Sequence, residues 1–173
     1  MHGLQETRRA GALSLYVALL ITAAVIVVVD QITKSLALEK LADGPIDVIE
    51  GVLTLRLTFN PGGAFGILQG VPNFFLIATA VIVVFILYWA RTMQSTAWAI
   101  PLGLVLGGGL GNLADRVFRD TDGQVVDFVD IQVLPLFNVA DSAITIGVLA
   151  LLVMSLRAER TTGENGDGGD RDG

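Results

Sequence analysis

Four stretches of the chain are almost uninterrupted in their apolar character, and each approaches the roughly 20 residues that a helix needs to cross a bilayer. LSLYVALLITAAVIVVV ends at Asp30, and FFLIATAVIVVFILYWA follows Pro72 and Asn73 and stops at Arg91. WAIPLGLVLGGGLGNLA is weaker, because Pro101 and its glycines lower helix propensity. In a membrane such glycines let helices approach closely, so the span is retained. The last stretch runs on from LPLFNVADSA into ITIGVLALLVMSL. The pattern predicts spans over about 13–33, 72–91, 97–114 and 134–156.

Between the first two spans the period changes. In IDVIEGVLTLRLTFN, Val52, Thr54, Arg56 and Thr58 alternate with Leu53, Leu55, Leu57 and Phe59, the period-two signature of a half-buried strand. This predicts a small β-element over about 44–66, resting on the membrane surface. It leads into NPGGAFG, where Gly62, Gly63 and Gly66 free the backbone to turn tightly or to approach a ligand.

Composition agrees with a membrane class. Of the 173 residues 53% are apolar, and the mean hydropathy is +0.67, too high for an ordinary soluble domain of this size. The net charge of -6 is concentrated in the terminal GENGDGGDRDG, so it does not point to a nucleic-acid partner, and residues 157–173 read as a disordered acidic tail. The absence of cysteine removes disulfides, thiolate metal sites and a cysteine nucleophile. The single histidine, His2, lies in the N-terminal extension (1–12), which removes a zinc protease of HExxH type and a Ser-His-Asp triad. No metal or cofactor is expected. A cleaved signal peptide is considered for the first stretch, behind Arg8 and Arg9. The run exceeds a usual signal-peptide core and three more spans follow, so it is read as a permanent span.

Asp127 and Asp141 are the anomaly, two carboxylates set in apolar surroundings where a lone charge is expensive. Side by side, two such groups cannot both ionise cheaply; they share a proton and become a general base and a general acid around one water. That arrangement hydrolyses a peptide bond without metal or covalent intermediate. Asn112 and Arg116 are one turn apart on a helix and would offer an amide and a guanidinium to one partner. Asn138, three residues before Asp141, would set its amide beside that carboxylate on one helical face. With the fourth helix starting near 134, Asp141 would lie about 10 Å inside it. A structural alternative has Asp127 capping a loop and Asp141 pairing with Arg116.

Five blocks occur in order between the four spans: DQxTK from Asp30 to Lys34, NPGGAFG from Asn60, GGLGNLADR ending at Arg116, VDF around Asp127, and FNVADS around Asp141. On these blocks the chain resembles bacterial lipoprotein signal peptidase, or signal peptidase II, an aspartic protease of the cytoplasmic membrane. The resemblance implies a membrane α-helical fold, with four transmembrane helices and a small extracytoplasmic β-element, as one peptidase domain over 13–156. It implies that Asp127 and Asp141 are catalytic. Asp30, Lys34, Asn60, Gly63, Asn112, Arg116, Asn138 and Ala140 would form the supporting and substrate-binding shell. The implied substrate is a diacylglyceryl-modified prolipoprotein cut just before its lipidated cysteine, and the cyclic peptide globomycin would block the same site.

Three rivals are weighed against this reading. A proton-coupled transporter would place its acids nearer mid-membrane and would not need the β-element. A Ser/Lys protease is conceivable from Ser35, Ser142 and Lys34. A structural membrane protein would tolerate Asn at both acids. The cations Arg8, Arg9, Arg91, Arg157 and Arg160 put both termini in the cytoplasm. Lys34, Lys40, Arg56, Arg116 and Arg119 then fall on the outer side, and need work there to be consistent with that orientation.

Overall fold

The computed structural model describes residues 2–62, 74–90 and 95–164. In chain order its elements are α1 (His2–Lys40), β1 (Ile46–Ile49), β2 (Leu53–Asn60), α2 (Phe74–Ala90), α3 (Ala99–Phe118), β3 (Val125–Asp130) and α4 (Val139–Glu164). Three segments are long and apolar enough to cross a membrane, namely Leu13–Lys40, Thr96–Phe118 and Val139–Ala158. Ile77–Ala90 is a shorter apolar helix. The fold is therefore helical and of membrane type, with one small sheet.

α3 is the central helix, packed on α1, α2 and α4. Its glycines explain how. A Cβ on Gly103 would come within 2.7 Å of the Leu19 carbonyl, and one on Gly107 within 2.7 Å of the Ala23 carbonyl, so the α1 and α3 backbones are close enough to exclude side chains. A Cβ on Gly108 would run into the Ala140 carbonyl of α4, and one on Gly147 would meet the Pro101 carbonyl at 2.8 Å. Pro101 sits in the first turn of α3, where an absent N–H breaks no helical bond. Around these crossings a core of Leu15, Leu19, Ala23, Leu102 and Leu106 is buried.

The sheet is antiparallel in the order β1-β2-β3. The sequence pattern anticipates the first two strands but not the third. VVDFVD is buried on nearly every position, so it shows no alternation to read. Its free edge is covered by side chains: the Asp115 carboxylate accepts from the Val126 N–H, and Asn138 Nδ2 donates to the Val126 carbonyl. Leu55 and Leu57 of β2 pack on Ala37, Leu41 and Phe128, which docks the sheet on the outer end of α1.

Several boundaries depart from expectation. α1 continues to Lys40, well past residue 33. α3 reaches Phe118, which takes Asp115 and Arg116 fully into the helix. α4 begins at Val139, not near 134, because Phe137 is engaged in extended pairing with Val129 and Asn138 caps the helix. The depth of about 10 Å inferred for Asp141 is thereby overturned; it lies in the first turn. The tail expected to be disordered from 157 is helical as far as Glu164, and the residues beyond lie outside those described. Residues 72, 73 and 91, at the expected ends of the second span, also lie outside them.

Candidate active site

Asp141 enters the site through a helix cap. Asn138 precedes α4, its Oδ1 accepting from the Asp141 N–H at 2.9 Å, while Asp141 Oδ2 accepts from the Asn138 N–H at 3.3 Å. This reciprocal pair is a capping box with Asp in the place of the usual Glu. The carboxylate is thus fixed at the positive end of the α4 dipole. Asp127 comes from β3, opposite Thr58 of β2, with its side chain buried.

Asn138 also joins the two acids, because its Nδ2 donates to Asp127 Oδ1 at 2.7 Å. Asn60, the last residue of β2, donates from Nδ2 to Asp127 Oδ2 at 2.9 Å. The orientation of that amide is set by Gly62, whose N–H donates to Asn60 Oδ1; Gly62 has φ of 119°, a conformation suited to glycine. Asn112 on α3 donates to Asp141 Oδ1 at 2.8 Å. Each carboxylate therefore accepts one amide bond at each oxygen from Asn60 and Asn138, or from Asn112 and the Asn138 backbone.

Burial dominates the acidity of Asp127. It pushes the carboxyl up to about 6, against the hydrogen bonds from Asn60 and Asn138, and the neighbouring Asp141 charge pushes the same way. A group poised near neutrality in this way suits proton transfer.

Behind the two acids lies a buried charge knot. Lys34 Nζ is 2.8 Å from Asp30 Oδ2 and 2.9 Å from Asp115 Oδ2, with all three side chains fully buried. The same Nζ donates to Asn112 Oδ1 at 2.9 Å, and Asn138 Nδ2 donates to that oxygen at 3.1 Å. Lys34 thus fixes which way the Asn112 amide faces, leaving Nδ2 for Asp141. Asp30 Oδ1 accepts from the Ala140 N–H at 2.9 Å, tying the start of α4 to α1.

Asp30, Lys34, Asn60, Asn112, Asn138 and Ala140 are all brought to this cluster. Arg116 lines the same pocket as both acids and donates to the Asn112 carbonyl at 3.3 Å. Gly63 lies outside the described residues. Sequence reasoning left out Asp115, Gln31 and Arg119. Asp115 Oδ1 accepts from Gln31 Nε2 and Arg119 Nε, and Arg119 Nη2 donates to Gln31 Oε1. The four-residue spacing of Asp115 and Arg119 is a readable signal; the contacts with Gln31, on another helix, are not.

The pocket in front of the acids holds about 610 Å³ and lies among α2, α3, α4 and the 134–137 segment. Asn60, Asn112, Arg116, Asp127 and Asp141 gather at one part of it, and most of the rest is apolar, including Leu134, Leu136 and Ile144. An extended peptide carrying an apolar group fits such a wall pattern.

The family profile described as signal peptidase (SPase) II matches residues 22–157, which include every side chain of this cluster. The chain belongs to the signal peptidase II family. It is 46% identical over 145 residues to the lipoprotein signal peptidase of Streptomyces griseus, with 81% of this chain and 74% of the relative covered. It is 41% identical over 147 residues to that of Halalkalibacterium halodurans, covering 81% of this chain and 92% of the relative. Among solved structures, a bacterial membrane enzyme determined by the in meso method at 2.3 Å superposes with a TM-score of 0.73 at 29% identity, over 90% of this chain and 93% of that one. A second, at 1.9 Å, gives 0.71 at 32% identity over 80% and 92%.

Proposed function

We propose that Asp127 and Asp141 are the catalytic dyad of an aspartic endopeptidase that removes signal peptides from diacylglyceryl-modified prolipoproteins, cutting just before the lipidated cysteine. The observation that carries this reading is Asn138, which bonds one carboxylate through its side chain and the other through its backbone at the edge of one pocket.

In the reaction, the ionised carboxylate of the pair takes a proton from water as the water oxygen attacks the scissile carbonyl. The protonated carboxyl gives its proton to the carbonyl oxygen, forming a neutral gem-diol. Collapse re-forms the carbonyl, breaks the C–N bond and passes a proton to the leaving cysteine nitrogen, returning the dyad to one shared proton. Asn60, Asn112 and Asn138 hold the carboxylates at fixed angles throughout, so little reorganisation is needed in the transition state. The Arg116 guanidinium at the pocket wall supplies donors for substrate carbonyls.

The site lies at the extracytoplasmic face of the bacterial cytoplasmic membrane, with both termini in the cytoplasm. Two observations support that orientation. Arg8 and Arg9 precede the first span, and the outer cations are occupied: Lys34 with Asp30 and Asp115, Arg56 with Asp130 at 2.7 Å, Arg119 with Asp115. Globomycin is expected to compete for the same pocket.

The test is cleavage of a diacylglyceryl lipobox peptide by the purified full chain in detergent. Asp127→Asn and Asp141→Asn are each expected to lose at least about a thousandfold in kcat while remaining folded. Ser142→Ala is expected to stay active. Retained cleavage by both Asn variants rejects the dyad, and loss in Ser142→Ala alone turns the reading to a serine nucleophile.

A further inference from the structure

Gly109 does not behave like its neighbours on α3. Cβ atoms on Gly103, Gly107, Gly108 and Gly111 would all collide, the last with Asp30 Oδ2 at 2.6 Å. Close helix packing therefore requires glycine at those four positions. At Gly109 the nearest atom to an added Cβ is Thr79 Cγ2 of α2, at 3.5 Å, an ordinary van der Waals contact. Packing leaves room for a side chain there, and the room belongs to the pocket, since Gly109 and Thr79 both line it.

The position of that pair in depth decides what it meets. Gly109 lies one turn, roughly 4.5 Å, along α3 from Asn112, which holds Asp141. Ile144 and Thr145 line the pocket about one turn into α4 from Asp141. The cavity thus continues from the carboxylates into the span, away from the sheet, and its walls there are apolar apart from hydroxyls. The Thr145 hydroxyl already donates to the Asp141 carbonyl, which leaves little to attract a polar ligand. Helices α2 and α4 both pack on α3 but scarcely on each other, so this part of the cavity lies in a gap between them.

We propose that Gly109 and Thr79 act as a width gauge for the acyl chains of the substrate: glycine on one wall, facing a threonine methyl on the other, sets what cross-section of hydrocarbon passes from the dyad into the gap. The inference rests on the peptidase reading and adds the residues that select among lipid forms of its substrate. A chain ending short of Gly109 does not feel the gauge, and one that runs past it does. A bulkier residue at 109 narrows the passage by the volume of its side chain, and removal of the Thr79 methyl widens it from the opposite wall.

The test uses the full-length protein in detergent and lipobox peptides that differ only in their glyceryl esters: dibutanoyl, dipalmitoyl and methyl-branched diphytanoyl. The measured quantity is the ratio of kcat/KM between chains, which a general loss of folded enzyme does not move. For Gly109→Val the dipalmitoyl-to-dibutanoyl ratio is expected to fall by about tenfold or more, the scale on which a hydrophobic pocket rejects one or two surplus methyl groups. Adding Thr79→Ala to that variant is expected to restore most of the ratio. Thr79→Ala alone, which only removes atoms, is expected to raise the diphytanoyl-to-dipalmitoyl ratio; this keeps the test open if Gly109→Val does not fold. Unchanged ratios in Thr79→Ala, or an equal fall on all chains in Gly109→Val, overturn the gauge. Failure of the wild type to cut any of the three peptides overturns the peptidase reading and the gauge with it, whereas normal wild-type cleavage with unaltered preferences removes the gauge alone.

Discussion

Asp127 carries its proton to about 6 chiefly because it is buried, whereas the same carboxyl in the unfolded chain titrates near 3.8. Below about pH 4 both states hold the proton and the group has no effect on stability. Between there and about 6 the folded state binds more protons, so each rise in pH favours unfolding; above 6 the whole penalty stands, roughly 3 kcal/mol. The wild type is therefore expected to lose thermal stability in detergent between pH 4 and pH 7, and Asp127→Asn to show a flatter profile. Equal slopes would show that burial of the Asp127 charge is not what the fold tolerates for the sake of its site. At this scale the sequence is generous: isolated acids and amides in apolar runs mark Asp127, Asp141, Asn112 and Asn138 as residues needing an explanation. It does not show that Asn138 faces Asp127, which depends on a strand and a helix start meeting in space.

Helices were legible as elements because a membrane span is a length of apolar chain, a property of composition rather than of partners. Their ends were not. LPLF at 134–137 is as apolar as the helix that follows, yet it pairs with β3 and leaves Asn138 to start α4. The N-x-x-D pattern of Asn138 and Asp141 was the available clue to that boundary. β3 was hidden for a related reason, since a strand covered on both faces has no alternation. Close packing of α3 on α4 gives a prediction for these elements. A Cβ at Gly108 would press on the Ala140 carbonyl and lie 2.7 Å from Ile144 Cγ1. Gly108→Ala is therefore expected to lower stability by about 1–3 kcal/mol. It should also reduce kcat by displacing Asp141, one residue beyond Ala140, and unfolding and cleavage measurements on one preparation check both effects.

Taken whole, the molecule is organised around Lys34. Its ammonium joins α1 to α3 through Asp115, and Asp30 beside it joins α1 to α4 through the Ala140 N–H. Asp115 in turn holds β3 through the Val126 N–H, so the sheet bearing one acid and the helix bearing the other refer to a common anchor. Lys34→Met would leave two buried carboxylates without their shared cation, and a loss of about 3–5 kcal/mol is expected in detergent unfolding. A variant with wild-type stability would show that Asp30 and Asp115 are neutralised by other means. The sequence by itself determined the membrane class, the order of the spans, the first hairpin and the identity of the polar residues, because hydropathy, period and the cost of an intramembrane charge are local properties. Only the tertiary structure decided which of those polar groups meet, that Asp115 and Gln31 belong with Lys34, and that Gly109 borders a cavity while its neighbouring glycines border backbone. Hydrogen-bond partners and free volume are relations between elements distant in the chain, and a one-dimensional pattern carries no record of them.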